Sequence, residues 1–131
     1  MITDPISDML TRLRNAAAVC KTQVPVPYSG VKLGLAKILE REGYLTKVDV
    51  VGEGKGREIQ MTIRMRGVRE PAIGAIRRVS TPGHRVYRKS TEMENVRSGF
   101  GCAIISTSSG MMTHTEARSR KLGGEVICEV Y

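Results

Sequence analysis

The chain has 131 residues and a formal net charge of +8, from 21 Lys and Arg against 13 Asp and Glu. That length allows one compact domain or two small halves sharing a core, because pieces near sixty residues are only marginally stable alone. No apolar segment approaches the ~20 residues a membrane helix needs. Cys20, Cys102 and Cys128 form no CxxC pair and, with only His84 and His114 beside them, supply neither a disulfide framework nor a zinc ligand set.

In chain order, Asp4-Pro5 reads as a helix start, and Ile6, Met9, Leu10, Leu13, Ala16 and Ala17 then recur at helical spacing, with Arg12, Arg14 and Asn15 off that face. Gln23 to Val26, bounded by Pro25 and Pro27, suits an edge strand. A second helix is expected from Ser29, with Val31, Leu35, Ile38 and Leu39 inward and Gly43 as its left-handed stop. Residues 44–51 and 57–65 read as a hairpin, the second strand alternating Ile59, Met61, Ile63 and Met65 with polar residues. Its tip, GEGKGR at 52–57, is not a P-loop, because Gly56 follows the lysine and a strand comes next; Lys55 and Arg57 are left to meet phosphate.

Gly67 to Pro71 breaks the pattern and divides the chain into residues 1–66 and 67–131. Charge is shared evenly, 11 basic against 7 acidic residues in the first part and 10 against 6 in the second. Beyond the break, residues 73–79 and 85–89 flank Thr81-Pro82-Gly83, in the order a type II turn requires. No acid lies between Glu70 and Glu92, where Arg77, Arg78, Arg85, Arg88 and Lys89 surround Tyr87. A solvated strand face accounts for many such runs; the missing counter-charge and the aromatic favour a phosphate-contacting ribbon. After a loop with Gly99 and Gly101, Cys102 to Ser106 is an apolar strand, and a hydroxyl-rich, uncharged loop follows, Thr107, Ser108, Ser109 and Gly110. Thr113 and Glu116 form a T-x-x-E capping box opening a helix of about two turns through Lys121, closed by Gly123 and Gly124. The last strand, Glu125 to Tyr131, alternates Val126, Cys128 and Val130 and returns beside the Cys102 strand. The expected fold class is α+β: an α/β first half with two helices on a short sheet, then a mainly β second half with one short helix.

Uncharged donors and acceptors set within a basic chain imply a partner read by hydrogen bonds and held by charge, with nucleic acid ahead of an anionic membrane. Catalysis lacks a constellation. Ser29 to Lys32 spells S-x-x-K without its companion motifs, and His114 falls in a helical first turn, where solvent is the expected neighbour. No cofactor or metal is expected, and the reading is of a cytoplasmic protein. Two competing classes share the charge: a DNA-binding or architectural protein, which would need a basic recognition helix that is missing here, and a nucleic-acid-processing enzyme.

STSSGMMTHTEARSRKLGGEVICEVY at 106–131 resembles the C-terminal signature of the bacterial small-subunit ribosomal protein eight family. The similarity extends to TDPISDMLTRLRNA at 3–16, GVKLGLAKILEREGYL at 30–45 and TPGHRVYRK at 81–89. The resemblance implies a protein that binds the central domain of small-subunit ribosomal RNA early in assembly of the platform. Ser106, Thr107, Ser108, Ser109 and Gly110 would meet a distorted RNA helix with Tyr87, Arg85 and Glu125 close by, while Arg14, Asn15, Lys32 and Lys55 would hold neighbouring phosphates. It further implies contact with small-subunit proteins five and twelve and, in some members, binding to their own messenger RNA. His84 stands where the family usually has Arg, and Ser109 where Lys is frequent, so fixed positive charge beside the site is reduced.

Overall fold

The computed structural model describes residues 4–94, 96 and 101–131. It is α+β, and contacts divide it into two units, Pro5–Gly74 and Ala75–Tyr131 together with Asp4. Gly67, where the sequence pattern breaks, lies inside the first unit. There strands β4 (Met65–Gly67) and β5 (Glu70–Pro71) pair with each other, and the Ala72 amide donates to Arg64 O at 2.8 Å, drawing the strap back onto its own sheet.

In the first unit, α1 (Pro5–Ala18) and α2 (Gly30–Arg41) pack on β1 (Gln23–Pro27), β2 (Leu45–Val51) and β3 (Glu58–Ile63), antiparallel in the order β1-β3-β2. The α1 apolar face is as the spacing predicts, with Met9, Leu10 and Leu13 fully buried and Ala16 and Ala17 beside them. On α2 the buried stripe is Lys32, Leu35, Ala36, Ile38 and Leu39, whereas Val31, expected inward, is exposed. Ser29 caps α2 by accepting from the Lys32 amide at 3.2 Å, which accounts for the S-x-x-K spacing without chemistry. Strand β3 stops at Ile63; Met65, expected to continue it, instead pairs with Pro71.

In the second unit, β10 (Gly124–Val130) is the spine. On one side it pairs with β8 (Cys102–Thr107), which carries β9 (Gly110–Thr113). On the other it pairs with both β6 (Ile76–Arg78) and β7 (Tyr87–Arg88). The basic stretch is therefore not a free ribbon, because its strands reach β10 in turn and meet each other through the Thr81–His84 bridge and the Ser80 hydroxyl, which accepts from the Val86 amide. Gly83 takes no positive φ, so the turn is not type II; Pro82 followed by a residue at negative φ fits type I. A bulge between Val126 and Cys128 interrupts the expected alternation and buries Ile127 as well. The Ile127 carbonyl then accepts from Val79 N at 3.0 Å and Arg78 Nη1 at 2.8 Å. Arg78 also pairs with Asp4, at 3.1 Å, with both side chains largely out of solvent. One sheet face carries the cluster Met93, Val96, Ala103, Ile105, Met112, Ala117 and Val126, packed with α3 (His114–Ser119).

Among the described residues α1, α2 and α3 each end in the same paired-amide motif, and of these α2 alone uses glycine for its left-handed residue. Gly43 (φ +91) donates to Glu40 O and Tyr44 to Leu39 O. Cys20 and Lys121, both at φ 58, fill that place after α1 and α3. Helix α3 is thus shorter than expected, and Gly123 and Gly124 serve another purpose. A Cβ on Gly124 would lie 2.2 Å from Ser106 O, and one on Gly123 2.8 Å from Arg88 O, so the pair lets β10 enter between β8 and the chain after β7. Gly99 lies outside the described residues; Gly101 is there for close approach too, a Cβ meeting Val130 O at 2.6 Å.

Candidate nucleic-acid interface

The register places three of the expected contact residues in one row. Ser106 on β8 lies opposite Glu125 on β10, and Glu125 lies opposite Tyr87 on β7. Directly paired residues in antiparallel strands project to the same face, so these three form a continuous strip. Tyr87 is 65% exposed, a large aromatic offered to solvent on the second unit.

The hydroxyl segment caps this strip as a tight hairpin and not as an open loop into α3. Thr107 pairs with Gly110 around a two-residue turn of Ser108 and Ser109, and Gly110 takes φ +106, which a side chain would resist. The Thr107 hydroxyl is spent inside the turn, donating to Gly110 O at 2.8 Å and accepting from the Ser109 amide at 3.1 Å. Thr107 therefore shapes the tip, while Ser108, Ser109 and Gly110 are exposed upon it. The far end is anchored at Thr113, whose hydroxyl caps α3 by accepting from Glu116 N at 3.3 Å. Glu116 Oε1 meets that same hydroxyl at 3.3 Å, and the Thr113 backbone lies in the β9 ladder opposite Ile104, so the glutamate's role differs from the simple box.

His114 is the plainest departure from expectation. It is 3% exposed, and its Nδ1 accepts from the Ala103 amide at 3.1 Å. Strand β9 ends at Thr113, so the Ala103 donor would go unpaired; the imidazole, in its Nε2–H tautomer, extends the ladder by one bond. A histidine used this way is not poised as a base for the hairpin serines.

Glu125 is held from beneath. Its Oε2 accepts from the Ser80 hydroxyl and from Arg85 Nη1 at 3.0 Å. Burial alone would raise its pKa, but the Ser80 and Arg85 hydrogen bonds, with the charges of Arg85 and Arg78, outweigh it and hold the carboxyl below its ordinary range. Arg85, expected as a phosphate contact, thus has part of its charge neutralised within the protein. Ser80, beside a Thr-Pro-Gly turn, carries no sequence signal of its own; only the strand order brings it to Glu125.

The remaining expected residues lie in the first unit. Arg14 and Asn15 are exposed on α1, and Lys55 is exposed in a short 3-10 turn at the hairpin tip. Lys32 is different, at 6% exposure. Its pKa is lowered, chiefly by burial, with Asp8 opposing and Arg12 reinforcing the shift. Arg57, expected beside Lys55 as a phosphate contact, stacks its guanidinium 4.0 Å from the Tyr28 ring centre.

The sequence model of the family described as ribosomal protein S8 matches residues 4–131. A protein of Caldanaerobacter subterraneus subsp. tengcongensis named small ribosomal subunit protein uS8 is 46% identical over 131 residues, covering 100% of this chain and 99% of the relative. Proteins of the same name from Nocardioides sp. and Geobacter metallireducens are 47% and 45% identical, each covering 99% of this chain and 98% of the relative. The chain belongs to the ribosomal protein S8 family.

Proposed function

We propose that this protein is an RNA-binding structural component of the small ribosomal subunit in the cytoplasm, and that it binds the central domain of the ribosomal RNA and helps assemble the platform. The observation that carries the RNA reading is the strip Ser106, Glu125 and Tyr87 capped by the exposed Ser108-Ser109-Gly110 tip. Short hydroxyls, a bare glycine backbone and an open aromatic suit the shallow minor groove and unstacked bases of an irregular RNA helix. Thr107 contributes by shaping the tip. Arg14, Asn15, Lys55 and Arg85 supply grip on phosphates, with Lys32 a lesser contributor because it is buried. The family resemblance adds small-subunit proteins five and twelve as neighbours and the protein's own messenger RNA as a second target.

Contact with about six phosphates lowers affinity by roughly two to three orders of magnitude between 50 and 200 mM salt, taking the DNA counterion rule as a guide. The test is competition binding at physiological salt between an intact central-domain fragment and scrambled transcripts of equal length. The fragment is expected to win by orders of magnitude. Equal binding to both would refute the proposal, and stronger binding to DNA of like sequence would favour the architectural reading instead.

A further inference from the structure

The RNA-facing strip contains a carboxylate, which is the wrong charge for phosphate. Glu125 lies in the middle of the row, between Ser106 and Tyr87, with its side chain 16% exposed. Its environment shows how it is kept there. The chain leaves β10 at Val126, whose carbonyl accepts from the Ser80 amide at 3.1 Å, turns through Thr81–His84, and returns to the same residue, whose amide donates to Val86 O at 2.8 Å. The neck of this excursion is closed by one side chain. Ser80, with no solvent exposure, accepts from the Val86 amide at 3.1 Å and donates to Glu125 Oε2. A buried hydroxyl with both capacities engaged has one available rotamer, and Arg85 Nη1 binds the same carboxylate oxygen.

We propose that Ser80 is a positioning residue of the recognition surface, fixing the Glu125 carboxylate so that it meets RNA as an aimed acceptor for a hydrogen-bond donor, such as a ribose 2′-hydroxyl or an exocyclic base amine. This rests on the reading of the strip as an RNA contact. A carboxylate so held repels phosphate and accepts only from donors, so it adds selectivity and no general affinity.

The test measures binding of the full chain to an irregular RNA stem and to a plain duplex, from about pH 3.5 to 7.5 at fixed salt so that the series reaches below the ordinary carboxylate range, for wild type, Ser80→Ala, Glu125→Gln and the double variant. The groups facing Glu125 are Arg85, Arg78 and Tyr87; His84 lies on the same excursion and is kept in every variant. Ser80→Ala is expected to cut the preference for the irregular stem roughly fivefold to tenfold, the net worth of one ordinary hydrogen bond, because Arg85 still holds the same carboxylate oxygen. It also moves the acid loss of preference to higher pH, because the ionised form loses a donor, and it adds nothing in the Glu125→Gln background. Should Ser80→Ala fail to fold, Arg85→Met removes the other donor from an exposed site and is expected to move the acid limb the same way. An unchanged preference and acid limb in Ser80→Ala, or a full loss persisting on top of Glu125→Gln, overturns the positioning role alone. If Glu125→Gln and Ser108→Ala both bind the two RNAs as wild type does, the RNA reading of the strip falls with it.

Discussion

Gly124 is the position where the geometry of the candidate interface is most exposed to a single atom. Replacing it with Ala places a Cβ 2.2 Å from Ser106 O and 2.9 Å from Ser106 C, roughly an ångström inside the 3.4 Å at which ordinary contact begins. Both obstacles are backbone in the central β8–β10 pair, so no flexible side chain can yield. Overpacking by one methyl in a tight interior costs about 1–3 kcal/mol. The upper end applies here, reduced by the few tenths to about 1 kcal/mol that Ala gains over Gly in unfolded-chain entropy. A net loss near 2 kcal/mol lowers the melting temperature by roughly 6–10 °C for a chain of this size. Gly123→Ala, whose Cβ meets Arg88 O at 2.8 Å, is expected to lose less, and Gly83→Ala, with nothing within 4 Å and no positive φ, almost nothing. Thermal melts followed by circular dichroism rank the three. Equal stability of Gly124→Ala and Gly83→Ala would refute the claim that these glycines exist for close approach.

Other consequences follow from burial and charge. His114→Ala leaves the Ala103 amide without its acceptor and is expected to destabilise by about 2–4 kcal/mol, combining an unpaired donor and a small cavity, by chemical denaturation; a loss under 0.5 kcal/mol would contradict the ladder role. Burial pushes the Cys128 thiol up to about 12, so in native protein at pH 8 a thiol reagent is expected to modify Cys20 ahead of the buried Cys102 and Cys128, which label only on unfolding. Glu125 has a folded pKa below its unfolded value, so it contributes stability that is present above the ordinary carboxylate range and is lost as pH falls through the lower folded value. Glu125→Gln is expected to flatten that acid limb in melts at stepped pH, and an unchanged limb would contradict the hydrogen-bonded carboxylate. Lys32 has the opposite cost: its folded pKa is depressed, so the protonated form is penalised, and wild-type stability rises as pH climbs from that value towards 10.5. Lys32→Met is expected to be at least as stable as wild type at pH 7, with the gap narrowing at high pH; a marked loss would mean that the ammonium is well paired.

The local signals were the legible ones. Ser29 and Gly43 delimit α2 because a cap oxygen and a left-handed glycine act within one turn of chain. The exposed tip of Ser108 and Ser109 follows from composition and spacing. What escaped the sequence was non-local. Nothing near residue 127 announces a bulge, which arises because β10 must pair with β8 on one side and with two short strands on the other. The left-handed residue after α3 is Lys121, since the two glycines beyond it are taken up by strand crowding. Lys32 and Val31 exchanged places because apolar spacing sets a helical face only within about a residue, and the packing decides the rest. The charged run 77–89 looked like one ribbon, yet its strands are separated by the excursion that Ser80 closes.

The central claim is a division of labour between a neutral tip that discriminates and scattered cations that hold. It is tested most directly by the affinities of Ser108→Ala and Lys55→Ala for an irregular ribosomal stem and a plain duplex across a salt series. Ser108→Ala is expected to lower preference for the irregular stem with the salt slope unchanged. Lys55→Ala instead weakens both RNAs alike and flattens the slope by about one unit. Equal losses on both RNAs from Ser108→Ala would contradict it.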